Sequence, residues 1–181
     1  MKILVTGANG YLGQGIVKQL CNDGIEVVAA DFKGDHIDNR AEIKVCNMFK
    51  VTKPFEFFEK PDVLLHLAWR NGFVHNDNSH IEDLPSHYRF LKEMVDSGIK
   101  RVAIMGTMHE IGFFEGSIKE DTPTNPQSLY GISKDALRNM TKLLCKNANM
   151  SFQWLRGYYI VGNSEFGCSI FSKITAAEKE G

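Results

Sequence analysis

A tyrosine and a lysine four residues apart have the spacing and chemistry for proton transfer to and from a hydroxyl group. Tyr130 and Lys134 lie near the start of a predicted helix, and their i, i+4 spacing places both side chains on one face. A free tyrosine has a pKa near 10, so only about 0.1% is ionised at pH 7. A neighbouring ammonium favours the tyrosinate, although a shift of about three units requires roughly 4 kcal/mol. Tyr130 is therefore a candidate acid–base group.

A glycine-rich turn near the amino terminus has the spacing of a dinucleotide-binding loop. Residues 6–13 read Thr-Gly-Ala-Asn-Gly-Tyr-Leu-Gly and join a predicted strand to a predicted helix, which is the context that gives the motif meaning. Gly7 permits the tight turn, Gly10 lets the backbone approach a pyrophosphate, and Gly13 lets the helix sit close to the sheet. The amides at the helix start then face the phosphates. The alternative is a strand–helix turn without a ligand.

Asp31 ends the second predicted strand, 18 residues after Gly13. A carboxylate at this position accepts hydrogen bonds from both ribose hydroxyls of an adenosine and repels a 2′-phosphate. We therefore expect NAD rather than NADP as the cofactor. Nearby Lys33 weakens that preference, and an aspartate in a surface loop is the alternative interpretation.

Apolar strand patterns alternate with helical patterns along the chain, which indicates a parallel sheet with helical crossovers. The apolar runs are continuous, as expected of strands covered on both faces. The predicted fold class is α/β, a Rossmann-type doubly wound parallel sheet with helices on both faces. The predicted strands are 2–6, 26–31, 42–46, 62–67, 101–105 and 152–156.

Three helices are predicted between these strands. The first carries Leu12, Ile16 and Leu20 on one face and stops near Gly24. The last runs from about residue 128 to residue 148. The middle helix carries residues 84–95, and its start is left open. Ser79 with Glu82 has the spacing of a capping box, whereas Pro85 favours a first-turn position.

Length and composition favour a single domain that binds neither nucleic acid nor a membrane. The chain has 181 residues and a net charge of −1, and its lysines and arginines are scattered rather than clustered. It contains no apolar run of the roughly 18 residues that span a bilayer, and no signal peptide. The four cysteines lack metal-ligand spacing, so we expect no metal site, reduced thiols and a cytoplasmic location.

Together these motifs resemble the extended short-chain dehydrogenase/reductase family, especially its nucleotide-sugar epimerases, dehydratases and reductases. The matching segments are the glycine turn at 6–13, His66-Leu67-Ala68, Met105-Gly106-Thr107, Tyr130-Gly131-Ile132-Ser133-Lys134, and Leu155-Arg156 with Gly162. All but the Tyr130–Lys134 segment follow different predicted strands. Because the carboxyl ends of parallel strands share one sheet edge, these motifs are expected to converge there.

The resemblance implies a catalytic set of Thr107, Tyr130 and Lys134. Tyr130 would take the proton of a substrate hydroxyl as hydride passes to the nicotinamide, and would return a proton in the reverse direction. Thr107 would hydrogen-bond the same oxygen. Lys134 would bind the nicotinamide ribose and, with the positive nicotinamide, favour the tyrosinate.

The resemblance also implies how the cofactor is held. Tyr11 and Leu12 would contact the pyrophosphate, Asn47 and Met48 would flank the adenine, and Leu67 and Ala68 would line the nicotinamide side. The family often has Asp where this chain has Asn47, and a small residue where it has Trp69. The complete predicted cofactor set is Gly7, Asn9, Gly10, Tyr11, Leu12, Gly13, Asp31, Phe32, Asn47, Met48, Leu67, Ala68 and Lys134.

Three departures bear on the reaction. Sugar dehydratases of the family carry Thr-Asp-Glu where this chain has Thr107-Met108-His109, so we disfavour dehydration. His109 stands where some relatives keep an extra acid–base group, and its ordinary pKa near 6.5 suits that work. The alternative is a histidine at the pocket rim. Tyr159 replaces an asparagine that binds substrate in many relatives.

The expected function is an NAD-dependent nucleotide-sugar epimerase or reductase. Residues 1–167 would form the dinucleotide-binding domain. Residues 168–181, with a predicted helix at 169–180, would begin a carboxyl-terminal substrate lobe that is otherwise missing, so an inactive truncated form is left open. The alternative is a non-catalytic dinucleotide-binding protein that senses cofactor or pairs with a partner. The expected substrate is a nucleotide sugar, and a homodimer is also left open.

Overall fold

Six short runs of aliphatic and β-branched residues form one parallel sheet. We describe residues 1–160, 173–174 and 177–178 in a computed structural model. The strand order across the sheet is β3-β2-β1-β4-β5-β6, and every neighbouring pair is parallel. The predicted Rossmann-type fold is confirmed. The strands are β1 Lys2–Thr6, β2 Glu26–Asp31, β3 Glu42–Val45, β4 Val63–His66, β5 Arg101–Thr107 and β6 Ser151–Gly157.

Helices connect the strands and cover the sheet. They are α1 Tyr11–Asn22, α2 Pro54–Phe57, α3 Ser79–Asp96 and α4 Leu129–Asn147, with 3-10 turns at Met48–Lys50 and Met108–Glu110. The sequence predicts α1, α3 and α4 because each is long enough to show a helical apolar stripe. It does not predict α2 or the 3-10 turns, since three or four residues show no period.

The start of α3 differs from both alternatives that the sequence offered. Asn78 precedes the helix without a side-chain cap, and Pro85 lies inside the helix rather than in its first turn. Ser79 is a helical residue whose hydroxyl lies 3.1 Å from the Asn71 side-chain amide. The capping box is therefore not formed. The apolar face of α3 is buried in the core, and this packing offsets the hydrogen bond that an internal proline removes.

Alternating strand residues divide the core between the two faces of the sheet. Leu4 and Leu64 pack in one cluster with Leu91 of α3 and Leu137 of α4. Val5 and its neighbours pack in the other cluster, which includes α1. No helix in the described part of the chain is long and apolar enough to cross a membrane.

Three predictions concern residues near the carboxyl terminus. Gly162, the domain boundary at residues 167 and 168, and most of the predicted helix at 169–180 lie outside the described residues. Within the described part, β1 to β5 and the turns after them bring the glycine turn, Asp31 and Thr107 to one sheet edge. The site is built there.

Candidate functional site

The glycine turn closes tightly against the neighbouring strands. Gly7 has a φ of +74°, and its amide donates to the Ala30 carbonyl at 3.0 Å. A Cβ at Gly7 would lie 2.6 Å from the Ala68 amide nitrogen, and a Cβ at Gly13 would lie 2.3 Å from the Gly7 carbonyl oxygen. Both positions therefore require glycine. Gly10 precedes α1 and provides no side-chain cap, so the first-turn amides are available to an anion.

A cleft of about 590 Å³ opens beside this turn. Trp69, Arg70, Asp83 and His87 form part of its wall. Four residues of the predicted cofactor set, Tyr11, Leu12, Gly13 and Lys134, are not in the lining. The members of the predicted set that line the cleft are Gly7, Asn9, Gly10, Asp31, Phe32, Asn47, Met48, Leu67 and Ala68.

Asp31 lies in the cleft with its carboxylate fixed by two backbone amides. Oδ2 accepts from the amide of Asn9 at 2.9 Å, and Oδ1 accepts from the amide of Phe32 at 2.6 Å. Each carboxylate oxygen has further acceptor capacity, which ribose hydroxyls can use. Lys33 also lines this end of the cleft. Uncapped helix amides, close-packed glycines and an oriented carboxylate together fit a dinucleotide.

The structure brings Thr107, Tyr130 and Lys134 together at the end of β5. Lys134 Nζ donates to the carbonyl of Met105 at 2.7 Å. The Thr107 side chain hydrogen-bonds Tyr130, an interaction that by itself lowers the tyrosine pKa. Close packing of α4 makes this possible, because a Cβ at Gly131 would lie 2.4 Å from the His109 carbonyl oxygen. Met105-Gly106-Thr107 is the last part of the strand itself, rather than the turn after it.

Burial dominates the acid–base properties of this trio. It lowers the pKa of Lys134 to about 7, and the Glu110 carboxylate opposes that shift. Burial also raises the pKa of Tyr130, against the effect of the Thr107 hydrogen bond. The lowered tyrosine pKa expected from the sequence depends also on the positive nicotinamide, and it stays a prediction. The Lys134 ammonium instead contacts the Met105 carbonyl and the face of the Trp69 ring, 4.2 Å from its centroid.

A fully buried carboxylate anchors the Thr107 backbone. Glu110 Oε1 accepts from the Thr107 amide at 2.7 Å, and Oε2 accepts from Arg156 Nε at 3.2 Å. The Trp154 indole also donates to Oε2, at 2.8 Å. Gly106 leaves room for this contact, because a Cβ there would lie 2.1 Å from Trp154 Nε1. Arg138 adds a second cation, 4.0 Å from the carboxylate. Glu110 therefore fixes the end of β5.

Two buried histidines lie at the cleft, where His87 forms part of the wall and contacts His66. His66 Nδ1 lies 2.7 Å from the Thr6 hydroxyl, and His66 Nε2 lies 2.8 Å from His87 Nδ1. Burial lowers the pKa of His66 to about 3 and also lowers the pKa of His87, and the Lys134 charge adds to both shifts. Both rings are therefore neutral near pH 7.

Histidine rings also surround Tyr130. His75 stacks on the tyrosine ring at a centroid distance of 5.8 Å, and the ring centroids of His109 and His75 are 4.1 Å apart. Burial, and secondarily His75, lowers the pKa of His109. The structure thus places His109 beside Tyr130, whereas Tyr159 is 79% exposed beyond β6. The described residues include no group of three or more His, Cys, Asp or Glu side chains placed to hold a metal ion.

The sequence analysis missed several of these residues. Glu110 had a visible signal, because Thr107 and Glu110 have the spacing of a capping box, and the structure forms that box. His75 and His80, whose ring centroids lie 5.8 Å and 5.2 Å from that of Tyr130, had no such signal. They approach Tyr130 from a loop and from the start of a helix, and only tertiary packing places them there.

Comparisons with known proteins identify the family of this chain. The model of the NAD dependent epimerase/dehydratase family matches residues 3–181. A dTDP-6-deoxy-L-talose 4-dehydrogenase (NAD(+)) from Aggregatibacter actinomycetemcomitans is 42% identical, over 99% of this chain and 69% of that protein. A UDP-glucose 4-epimerase from Lactobacillus helveticus is 26% identical, over 92% of this chain and 54% of that protein.

Solved structures share the fold at low sequence identity. The UDP-glucose 4-epimerase of Thermotoga maritima, solved with UDP-glucose, has a TM-score of 0.83 and 19% identity, covering 97% of this chain and 62% of that one. A UDP-glucuronic acid 4-epimerase from Bacillus cereus, solved with NAD, has a TM-score of 0.81 and 20% identity, covering 99% and 64% respectively. The chain thus spans a little under two thirds of these structures. It belongs to the NAD-dependent epimerase/dehydratase family.

Proposed function

We propose that this protein is an NAD-dependent oxidoreductase that interconverts a carbinol and a ketone on the sugar of a nucleoside diphosphate sugar. The observation that carries the proposal is the placement of Thr107, Tyr130 and Lys134 at the end of β5, beside a cleft lined by the glycine turn and Asp31. Hydride transfer requires these two features to be adjacent.

The cofactor supplies the hydride acceptor, and this chain's residues handle the proton. Tyr130 takes the hydroxyl proton of the sugar as the carbon loses hydride, and it returns a proton to the ketone oxygen in reverse. Thr107 hydrogen-bonds the same oxygen and fixes its distance from Tyr130. Lys134 binds the nicotinamide ribose, and its positive charge favours the tyrosinate once it faces Tyr130. The backbone at the glycine turn binds the pyrophosphate, and Asp31 binds the adenosine ribose.

Two observations narrow the reaction within the family. Met108 and His109 stand where the family's sugar dehydratases carry an acid pair, which disfavours the elimination of water. The 42% identical relative is named as a 4-dehydrogenase of a dTDP-6-deoxyhexose. We therefore infer that the first substrate to test is a dTDP-6-deoxyhexose oxidised at C4, with an epimerase as the second candidate.

The test mixes the protein with NAD and dTDP-6-deoxy-L-talose and follows NADH by its absorbance. UDP-glucose in a parallel reaction, analysed for UDP-galactose, tests the epimerase. We expect NADH to accumulate with the deoxyhexose. Conversion of UDP-glucose without net NADH would favour the epimerase. NAD binding in calorimetry without reaction of either substrate would favour the alternative, a non-catalytic dinucleotide-binding protein.

A further inference from the structure

The side chain of Trp69 separates the cofactor cleft from the predicted catalytic residues. Trp69 lines the cleft, but none of Thr107, Tyr130 and Lys134 is among the described residues that do so. The indole centroid is 4.2 Å from Lys134 Nζ and 6.2 Å from the Tyr130 ring centroid. A nicotinamide in this cleft therefore meets Trp69 before it meets Lys134 or Tyr130.

Two histidines of α3 hold the indole in this position. Trp69 Nε1 donates to His80 Nδ1 at 3.0 Å, so His80 carries its proton on Nε2 and donates it to the Val74 carbonyl, also at 3.0 Å. The indole also stacks on His87 at a centroid distance of 4.4 Å and an angle of 17°. Trp69 belongs to the irregular segment between β4 and α3, which can move without disrupting a strand or a long helix.

Lys134 is enclosed in this arrangement. Its side chain is 1% exposed, and its ammonium is used by the Met105 carbonyl and the indole face. A lysine held in this way cannot reach a ribose hydroxyl in the cleft. The ammonium itself contacts one carbonyl and one aromatic ring, and ribose hydroxyls can replace these contacts.

We propose that Trp69 is a positioning residue that closes the cofactor cleft over Lys134, and that NAD binding displaces the indole and frees the ammonium for the nicotinamide ribose. The inference rests on the proposed function, because it requires NAD to occupy the cleft. In this role, Trp69 weakens the binding of NAD. An indole that instead packed against the nicotinamide would increase that affinity.

Calorimetric titration with NAD distinguishes these two roles. Displacing Trp69 breaks its hydrogen bond to His80 and its cation–π contact with Lys134, a combined effect on the order of tenfold in affinity. Trp69→Ala should therefore bind NAD about tenfold more tightly than the parent. Trp69→Phe keeps an aromatic ring but lacks the indole donor, so its affinity for NAD should fall between those of the parent and Trp69→Ala. Unchanged or weaker binding by Trp69→Ala would overturn the inference.

Indole fluorescence gives an independent readout of the displacement. The chain has two tryptophans, so Trp154→Phe isolates the emission of Trp69. We expect a saturable change in that emission on NAD addition, with the same midpoint as the calorimetric binding curve. Trp69→Phe, which keeps only Trp154, is the matched control and should show a much smaller change.

The outcomes separate this inference from the proposed function. If the parent binds NAD and oxidises the sugar, but Trp69 emission and the Trp69→Ala affinity do not change, the inference fails and the proposed function stands. If neither the parent nor Trp69→Ala binds NAD, both fail.

Discussion

The enclosure of Lys134 has a measurable effect on folding stability. Lys134→Met replaces a buried ammonium by an uncharged chain of similar length, so it should make the protein more stable near neutral pH. In the folded protein, burial lowers the pKa of Lys134 from 10.5 to about 7, whereas an unfolded chain restores the ordinary value. Between these values the unfolded state binds more protons. The contribution of Lys134 to the parent's free energy of unfolding therefore rises with pH.

The size of the effect follows from the two pKa values. The charged form of Lys134 destabilises the folded state most at and below about pH 7, and this penalty is largely gone near pH 10. Each pKa unit corresponds to about 1.4 kcal/mol, so the change over that range is on the order of 3 kcal/mol. Solvent screening does not reduce this energy, since Lys134 is 1% exposed.

Urea unfolding of the parent and Lys134→Met at several pH values measures this difference directly. The stability advantage of Lys134→Met should shrink by about 3 kcal/mol from about pH 7 to about pH 10. Lys142→Met removes an exposed lysine from the same helix. The difference in free energy of unfolding between Lys142→Met and the parent should therefore not change with pH. A Lys134→Met difference that is equally flat would show that the ammonium is not buried as described.

Three further substitutions test other parts of the structure. Glu110→Gln should destabilise the protein by about 3 kcal/mol in urea unfolding, because it removes the buried carboxylate that pairs with the partly buried Arg156, whereas Glu115→Gln in an exposed loop should change little. Asp31→Ala should reduce the preference for NAD over NADP in calorimetry, and a parent that binds NADP equally well would contradict the assignment. Gly13→Ala should impair both folding and NAD binding, because its Cβ would lie 2.3 Å from a carbonyl oxygen. Gly15→Ala in the same helix meets nothing within 4 Å and should be tolerated or stabilising by up to about 1 kcal/mol.

The sequence predicted those parts of the site that depend on local geometry. Gly7 and Gly13 were predictable because a tight turn between a strand and a helix can adopt few backbone conformations. The spacing of Tyr130 and Lys134 fixed their common helix face, and the alternation of strands and helices placed Asp31 and Thr107 at one sheet edge. Each of these inferences needs only a chain segment and the rules of parallel sheets.

Features that depend on tertiary packing were not predictable. Nothing in the spacing of Lys134 shows that its ammonium contacts Trp69 rather than Tyr130, or that burial raises the pKa of Tyr130. The interior position of Pro85 was missed for the same reason, because core packing of α3 overrides a local preference. Trp69 stood out in the sequence only as a large residue where relatives often have a small one.

The central claim is that Tyr130 transfers the proton during NAD-dependent oxidation of a nucleoside diphosphate sugar. The most direct measurement is NADH formation from dTDP-6-deoxy-L-talose by the parent and by Tyr130→Phe, with the NAD affinity of each determined by calorimetry. Removing the phenol oxygen should lower kcat by at least about a hundredfold and leave NAD affinity within a few-fold, because the hydroxyl provides a proton path and little binding. Turnover near the parent's rate in Tyr130→Phe would contradict the claim.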